Sequence, residues 1–304
     1  MPFGLKCSGN SFIRTVNQIL QPVNTFCDGY VDDLATYTVP DDFVLHLQHI
    51  RLFLLEIRKS GLTLNLNKCD YARPQVSFVG HVIGEGRHGP DPAKIAAVER
   101  MKAPSTKKEV RQMLGFFSYF RTYIDQFAEV ARPLTELTRK HVPNVVPWGE
   151  VHQQAYELLK SRLCAATQLH TVQYGSPFGL LVDASATAVG CCLVQWSTDG
   201  CEKPIAFASS KLSQTQQNWA TIEREAYAVV FALRKFRNFI FGASIVVYSD
   251  HNPLTYLNDC APKSAKLTRW SLGLQEFDLQ FRFKSGRSNM GADFLSRLGA
   301  EERE

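Results

Sequence analysis

One stretch limits the folds open to this chain more than any other: Phe178 to Trp196, FGLLVDASATAVGCCLVQW. The apolar run Leu180 to Val182 ends on an acid, Asp183, small residues follow, and a second apolar run begins at Gly190. Two such runs parted by Ala, Ser and Thr predict a strand, a tight connection and a second strand. A carboxylate at the end of a buried strand is costly to desolvate unless it is hydrogen-bonded, paired or bound to a cation. An aspartate beside Ala and Ser can also simply cap a turn. Asp183 therefore takes its meaning from whatever acids share its surroundings.

Downstream, strands are predicted at Pro204, Ile245 and Phe277, and helices at Thr221 and Lys263, with a turn at Asp199 and Gly200 and a last short helix near Gly291. Three consecutive strands followed by alternating helices and strands imply a mixed sheet flanked by helices, an α/β (α+β) architecture. Within it, Asp183 ends a strand, Glu225 lies early in the long helix, Asp250 follows Ile245 to Ser249, and Asp293 opens the last helix. The separations between these acids, 42, 25 and 43 residues, are too long for a local motif, so only a fold could assemble them. On the long helix the stripe Ile222, Ala226, Val229, Val230, Leu233 and Phe236 is flanked by both Glu223 and Glu225, and spacing does not choose between them.

Converging carboxylates repel by roughly 4 kcal/mol per pair at about 4 Å and an effective dielectric of about 20. Bound cations would relieve that repulsion, and oxygen-only ligands suit Mg²⁺ or Mn²⁺. Two such ions about 4 Å apart can stabilise the attacking and leaving oxygens when water displaces a phosphodiester.

The first half reads differently. A helix is predicted over Ser11 to Leu20, and FCDGYVDDLATY, Phe26 to Tyr37, reads as two short strands joined at Asp32 and Asp33, a hairpin presenting two carboxylates at its tip. Asp41 or Asp42 can cap a helix carrying Phe43, Leu47, Ile50, Leu54 and Ile57 until Gly61 ends it. Val76 to Ile83 predicts a strand pair, with Gly84 and Gly86 at the bend. Asp91 and Pro92 open a helix to Met101, and Thr106 with Glu109 has the spacing of a capping box for a helix striped by Val110, Met113, Leu114, Phe117, Phe120 and Ile124. Pro133, Pro143 and Pro147 interrupt the pattern before one more helix to about Leu163, and a domain boundary is expected near 165 to 175.

Composition excludes little else. A chain of 304 residues with 45% hydrophobic residues can bury real cores, and its longest apolar runs fall short of a membrane span. The charge, 34 Lys and Arg against 29 Asp and Glu for a net +5, is compatible with a polyanionic partner without requiring one. Eight scattered cysteines with no CxxC pair read as reduced core thiols, and Cys69, His81 and His88 lack zinc-ligand spacing.

Taken together, Asp183-Ala184-Ser185, Pro204 to Ser209, Glu223-Arg224-Glu225-Ala226, Ser249 to Leu254, Arg269-Trp270, Leu274 to Phe277 and Ala292 to Arg297 resemble the ribonuclease H domain of Gypsy-class LTR retrotransposon polyproteins in order and spacing. Pro2 to Leu5, Tyr30-Val31-Asp32-Asp33, Phe78 to His81 and Leu114-Gly115-Phe116 resemble the same polyprotein's reverse transcriptase. The resemblance implies a partial polymerase palm over 1–90, thumb and connection over 91–170, and a ribonuclease H-like domain over 171–304. It selects Glu225 over Glu223, because the family's glutamate directly precedes the turn matched by Ala226 to Val229. It implies Asp183, Glu225, Asp250 and Asp293 as ligands of two Mg²⁺ (or Mn²⁺) ions that cut the RNA of RNA:DNA hybrids. Asp32 and Asp33 become two of three palm carboxylates that hold Mg²⁺ for nucleotide addition on primer-template.

Two departures follow. The third palm aspartate and the fingers are expected upstream of this chain, and Cys7-Ser8-Gly9 replaces the family's Asn-Ala-Pro, so polymerisation by this chain alone is not expected. The loop Lys284 to Asn289 also lacks the histidine that some ribonucleases H use to move protons, and His251 is poorly placed to substitute. Backbone contacts are expected from Lys107, Lys108, Arg111 and Arg121, and from Arg234, Lys235, Arg237, Lys266, Arg269 and Arg287, whereas Trp219 and Trp270 are expected in the core. Further implied partners are other polyprotein products or a second copy, with no membrane. The implied location is cytoplasmic, in a virus-like particle, or nuclear. The alternatives to an enzyme are a non-catalytic nucleic-acid-binding relic and a structural subunit.

Overall fold

The computed structural model describes residues 7–38, 42–166, 168–249 and 265–283, which fall into two compact units, 1–91 and 92–304. In the first unit, α1 (Ser8–Leu20) is followed by the hairpin β1 (Cys27–Tyr30) and β2 (Asp33–Thr36), then α2 (Phe43–Ser60) and the meander β3 (Gln75–Phe78), β4 (His81–Gly84) and β5 (Arg87–Pro90). Local chemistry accounts for most of these limits. The Asp42 carboxylate accepts the Leu45 N–H at 2.8 Å, and Gly61, at φ 73°, supplies the left-handed residue that ends α2. Val16, Leu20, Val23 and Cys27 form the small core between α1 and the hairpin, and Gly29 lets the strand approach closely, since a Cβ there would lie 3.0 Å from both Leu20 and Leu34 side chains.

The meander has one more strand than the sequence pattern predicts. Val79 (φ 50°) and Gly80 (φ 74°) turn β3 into β4, and Glu85 (φ 51°) and Gly86 (φ 68°) turn β4 into β5. Two consecutive left-handed residues match the twist of a two-residue hairpin. Val79 carries no turn signal of its own, which is why the first bend is hidden in the sequence and Gly84 ends a strand instead.

The second unit holds α3 (Pro92–Glu99), α4 (Lys107–Tyr119), α5 (Phe127–Val130), α6 (Arg132–Glu136), α7 (Glu150–Cys164) and the short β6 (Leu169–His170). It continues with β7 (Phe178–Ala184), β8 (Ala188–Trp196), β9 (Glu202–Lys211), α8 (Gln214–Gln217), α9 (Thr221–Ile240), β10 (Ser244–Ser249), α10 (Ala265–Leu274) and β11 (Asp278–Phe283). The predicted capping box is formed: the Thr106 hydroxyl accepts the Glu109 N–H at 3.3 Å and the Glu109 carboxylate accepts the Thr106 N–H at 3.1 Å. Five strands pair in the order β11-β10-β7-β8-β9, with β10 parallel to β7 and β11 and the pairs β7–β8 and β8–β9 antiparallel. This is the mixed sheet that the alternation of elements predicts.

The sheet separates two apolar layers. Leu180, Val182, Val189, Leu193, Ile245 and Val247 pack with Ala226, Val229, Leu233 and Phe236 of α9 and with Leu267, Trp270 and Leu274 of α10. Leu181, Cys192 and Val194 point the other way, with Trp196, Phe207 and Tyr248 beside them. Phe207 also packs against the helical core of Val110, Phe117, Leu134, Tyr156 and Leu159, so the helices of this unit and its sheet share one interior. No described helix is long and apolar enough to cross a membrane.

Candidate active site

Asp183 sits where the sequence places it, one residue before the end of β7, in register with Gly190 of β8, which pairs in turn with Ser209 of β9. Paired residues of an antiparallel sheet share a face, so Asp183 continues the row of Gly179 and Leu181, opposite to the face that α9 covers. It is exposed, and it lines a small open cleft together with Gln126, Glu129, Ser185, Gly190 and Ser209.

Glu225 approaches from the other layer. It is buried, at 2% exposure, in the second turn of α9, the helix that packs on β7 and β8. Its neighbour Arg224 donates from Nη1 to the Ser185 carbonyl at 3.2 Å and from Nη2 to the Thr221 hydroxyl at 3.2 Å. That bond ties the first turns of α9 to the chain just beyond β7, two residues after Asp183. Glu223, the alternative on the sequence pattern, is committed elsewhere. It forms an ion pair with Lys266 of α10, whose ammonium also lies 3.9 Å from the Trp219 ring centroid. Trp219, Trp270 and Tyr227 pack edge to face or tilted with centroids 5.5–5.7 Å apart, so the two tryptophans are part of the interior, as expected.

Asp250 and Asp293 lie outside the described residues, as do His251, Arg287 and the loop Lys284 to Asn289. Asp250 directly follows Ser249, the last residue of β10, and β10 runs parallel to β7 with Tyr248 opposite Leu181. Among the described residues no group of three or more His, Cys, Asp or Glu is close enough to hold a metal ion. The described donors, Asp183 and Glu225, are both carboxylates brought to one end of the sheet, a donor set suited to a hard divalent cation.

A further acid beside this site carries no sequence signal. Asp125, in the loop before α5, is pushed above the usual carboxylate range by burial, with the nearby Asp183 charge acting in the same direction. The Arg162 charge and the Gln126 N–H work against that shift. Asp125, Gln126 and Glu129 lie far upstream of Asp183, and only the docking of α5 on β9 brings them to it.

In the first unit, Asp32 and Asp33 are both exposed at the hairpin tip, but they are not equivalent. The two-residue turn is Val31-Asp32, with Val31 at φ 57°, and Asp33 is the first residue of β2, paired with Tyr30. The same pairing puts Asp28, opposite Ala35, on the face of Tyr30 and Asp33.

Several basic candidates bond within the chain. Arg121 donates to the Ser209 carbonyl at 2.6 Å, Arg111 to the Thr138 carbonyl at 3.2 Å and Lys107 to the Lys140 carbonyl at 3.3 Å, while Arg237 pairs with Glu276. Lys108, Arg234 and Lys235 are exposed and form no ion pair among the described residues.

Residues 1–83 match the family "Reverse transcriptase (RNA-dependent DNA polymerase)", and residues 173–277 match the "RNase H-like domain found in reverse transcriptase". The chain is 36% identical to the retrovirus-related Pol polyprotein from transposon opus of Drosophila melanogaster, over 98% of this chain and 30% of the relative. It is 33% identical to the corresponding polyprotein from transposon 297 of the same species, over 99% of this chain and 28% of the relative. The chain therefore spans less than a third of these relatives. Among solved structures, the foamy viral protease-reverse transcriptase in complex with dsDNA superposes with a TM-score of 0.79 at 24% identity, over 94% of this chain and 60% of that one. The same enzyme in complex with an RNA/DNA hybrid gives 0.78 at 24% identity, over 94% of this chain and 39% of that one. At that identity the likeness is one of fold.

Proposed function

Starting from a chain that carries a reverse transcriptase segment and an RNase H-like domain, and whose relatives are Pol polyproteins of gypsy-type and Tf2 LTR transposons, we propose that it is a reverse transcriptase–ribonuclease H portion of such a polyprotein and hydrolyses the RNA strand of RNA:DNA hybrids. One observation carries the assignment of the site: the Arg224–Ser185 bond ties the first turns of α9, which hold the buried Glu225, to the chain just beyond β7, two residues after Asp183. Asp250 and Asp293 complete the set in this reading. Relatives of this class depend on divalent metal, and we assign Mg²⁺, with Mn²⁺ as a substitute of like chemistry. Bound there, the ions would lower the pKa of a water nucleophile and stabilise the leaving oxygen of the phosphodiester. The protein's own part in this reading is to hold these carboxylates on packed elements, β7 and α9, before substrate binds.

Asp32 and Asp33 are assigned to the polymerase half, as two carboxylates for metal at primer-template. The partners in this reading are a hybrid or primer-template duplex, held through its backbone by cations such as Arg234 and Lys235, and other polyprotein products or a second copy of the chain. The location is the cytoplasm, within a virus-like particle.

The experiment is cleavage of a labelled RNA strand, as a hybrid and as a single strand, with Mg²⁺ and with EDTA, for wild type, Asp183→Asn and Asp250→Asn. Mg²⁺-dependent, hybrid-selective cutting lost in both variants supports the proposal. A folded wild type that leaves the hybrid intact overturns it in favour of a nucleic-acid-binding relic.

A further inference from the structure

The cleft beside Asp183 has a wall that the RNase H-like match, residues 173–277, does not include. Gln126 and Glu129 form it, from the segment around α5. That segment is latched to the sheet on the row that carries Asp183: the Ser209 hydroxyl accepts the Ala128 N–H at 2.9 Å, and the Ser209 carbonyl accepts Arg121 at 2.6 Å. Arg162 of α7 holds the loop from behind by donating to the Asp125 carbonyl at 2.5 Å. Gly190 lies between Asp183 and Ser209 on this row, and the Gln126 side chain passes over it, its Cγ 3.7 Å from where a Cβ on Gly190 would be.

Gln126 itself is held at φ 50°, ψ 31°, a left-handed conformation that costs a side-chain-bearing residue free energy and persists only where the surroundings impose it. Its carboxamide makes no hydrogen bond among the described residues, so it stands at the cleft with a donor and an acceptor both available. The cleft's charged groups are the carboxylates of Asp183 and Glu129, which accept hydrogen bonds and leave Gln126 as its neutral donor and acceptor.

We propose that Gln126 is a specificity-determining residue of the nuclease, its carboxamide contacting a ribose 2′-hydroxyl of the RNA strand at the Asp183 cleft. The 2′-hydroxyl is both donor and acceptor and is the group that distinguishes RNA from DNA at a given position. This proposal rests on the nuclease reading above, but it is tested by binding as well as by turnover.

The test uses the full chain. Affinity for an RNA:DNA hybrid and for the DNA duplex of the same sequence is measured by fluorescence anisotropy in EDTA, for wild type, Gln126→Gly and Gln126→Asn. Wild type is expected to prefer the hybrid, and Gln126→Gly to lose about five- to tenfold of that preference, the worth of one hydrogen bond, with DNA affinity unchanged. Gln126→Asn, which keeps the carboxamide and tolerates the left-handed backbone, is expected to retain part of it. A hybrid with a single 2′-deoxy substitution at the contacted ribose should weaken wild type as much as Gln126→Gly does, with no further loss in combination. Gln126→Gly should melt no lower than wild type, because glycine adopts this conformation without strain. Undiminished preference in both variants, or no preference in wild type, overturns the proposal. Failure of wild type to cut the hybrid instead overturns the nuclease reading, which the cleavage assay decides separately.

Discussion

Replacing Glu223 and Glu225 separately by glutamine tests the site assignment where the sequence pattern left two answers. Glu225 is 2% exposed and glutamine is its isostere, so Glu225→Gln should leave the packing of α9 on the sheet intact while removing one carboxylate. Loss of groups that merely orient metal ligands commonly costs 10–100-fold in activity. Loss of a ligand itself should then cost about 100-fold or more, equivalent to about 2.7 kcal/mol or more in the barrier. Glu223→Gln breaks the ion pair with Lys266, whose side chains are 15% and 35% exposed, and leaves Lys266 against Trp219. That pair is worth about 1 kcal/mol or less, so the melting temperature should fall by about 2–4 °C or less, with kcat within about twofold of wild type. The assay is hybrid cleavage with saturating Mg²⁺, beside a thermal melt for each variant. Wild-type cleavage by a folded Glu225→Gln, or its abolition in a folded Glu223→Gln, would refute the reasoning.

Three further outcomes follow from the packing. Gly179→Ala puts a Cβ 2.5 Å from Trp196 Cη2 and 2.6 Å from Val194 Cγ2, so it should destabilise the chain by about 1–3 kcal/mol in a urea melt. Unchanged stability would show that Trp196 moves freely. Thr106→Ala removes the hydroxyl that caps α4 and should cost about 1 kcal/mol, largely restored by Thr106→Ser. The Glu136 carboxylate is held below its usual pKa, first by its hydrogen bond from Lys211 at 2.5 Å. Its contribution is therefore present above the unfolded carboxylate pKa and is lost as pH falls through the lowered folded value. With both side chains more than 30% exposed it should amount to about 0.5 kcal/mol. Glu136→Gln should remove that increment near neutral pH and leave stability in strong acid unchanged, as read by melts across that range.

Much of this protein was legible in its sequence because the signals are local. Asp42 and Gly61 bound α2, Thr106 and Glu109 start α4, and the stripe from Ile222 to Phe236 faces the sheet, each through contacts within a few residues along the chain. The apolar runs on either side of Asp183 predicted its strand pair for the same reason. The hairpin at Phe26 to Tyr37 was legible too, but its turn falls one residue earlier, at Val31-Asp32, and the turn at Val79-Gly80 escaped, since a β-branched residue at positive φ is imposed by the strands it joins and contradicts its own preference.

What the tertiary structure alone decided are the meetings across long stretches of chain. Helical spacing put Glu223 and Glu225 on equal terms, and packing separated them by burying one at the end of the sheet and pairing the other with Lys266. No periodicity in 121–131 foretells that Ser209 receives Ala128 and Arg121, or that Gln126 comes to stand beside Asp183. Such contacts depend on the shapes of two finished surfaces, whereas a cap or a stripe depends only on neighbours along the chain.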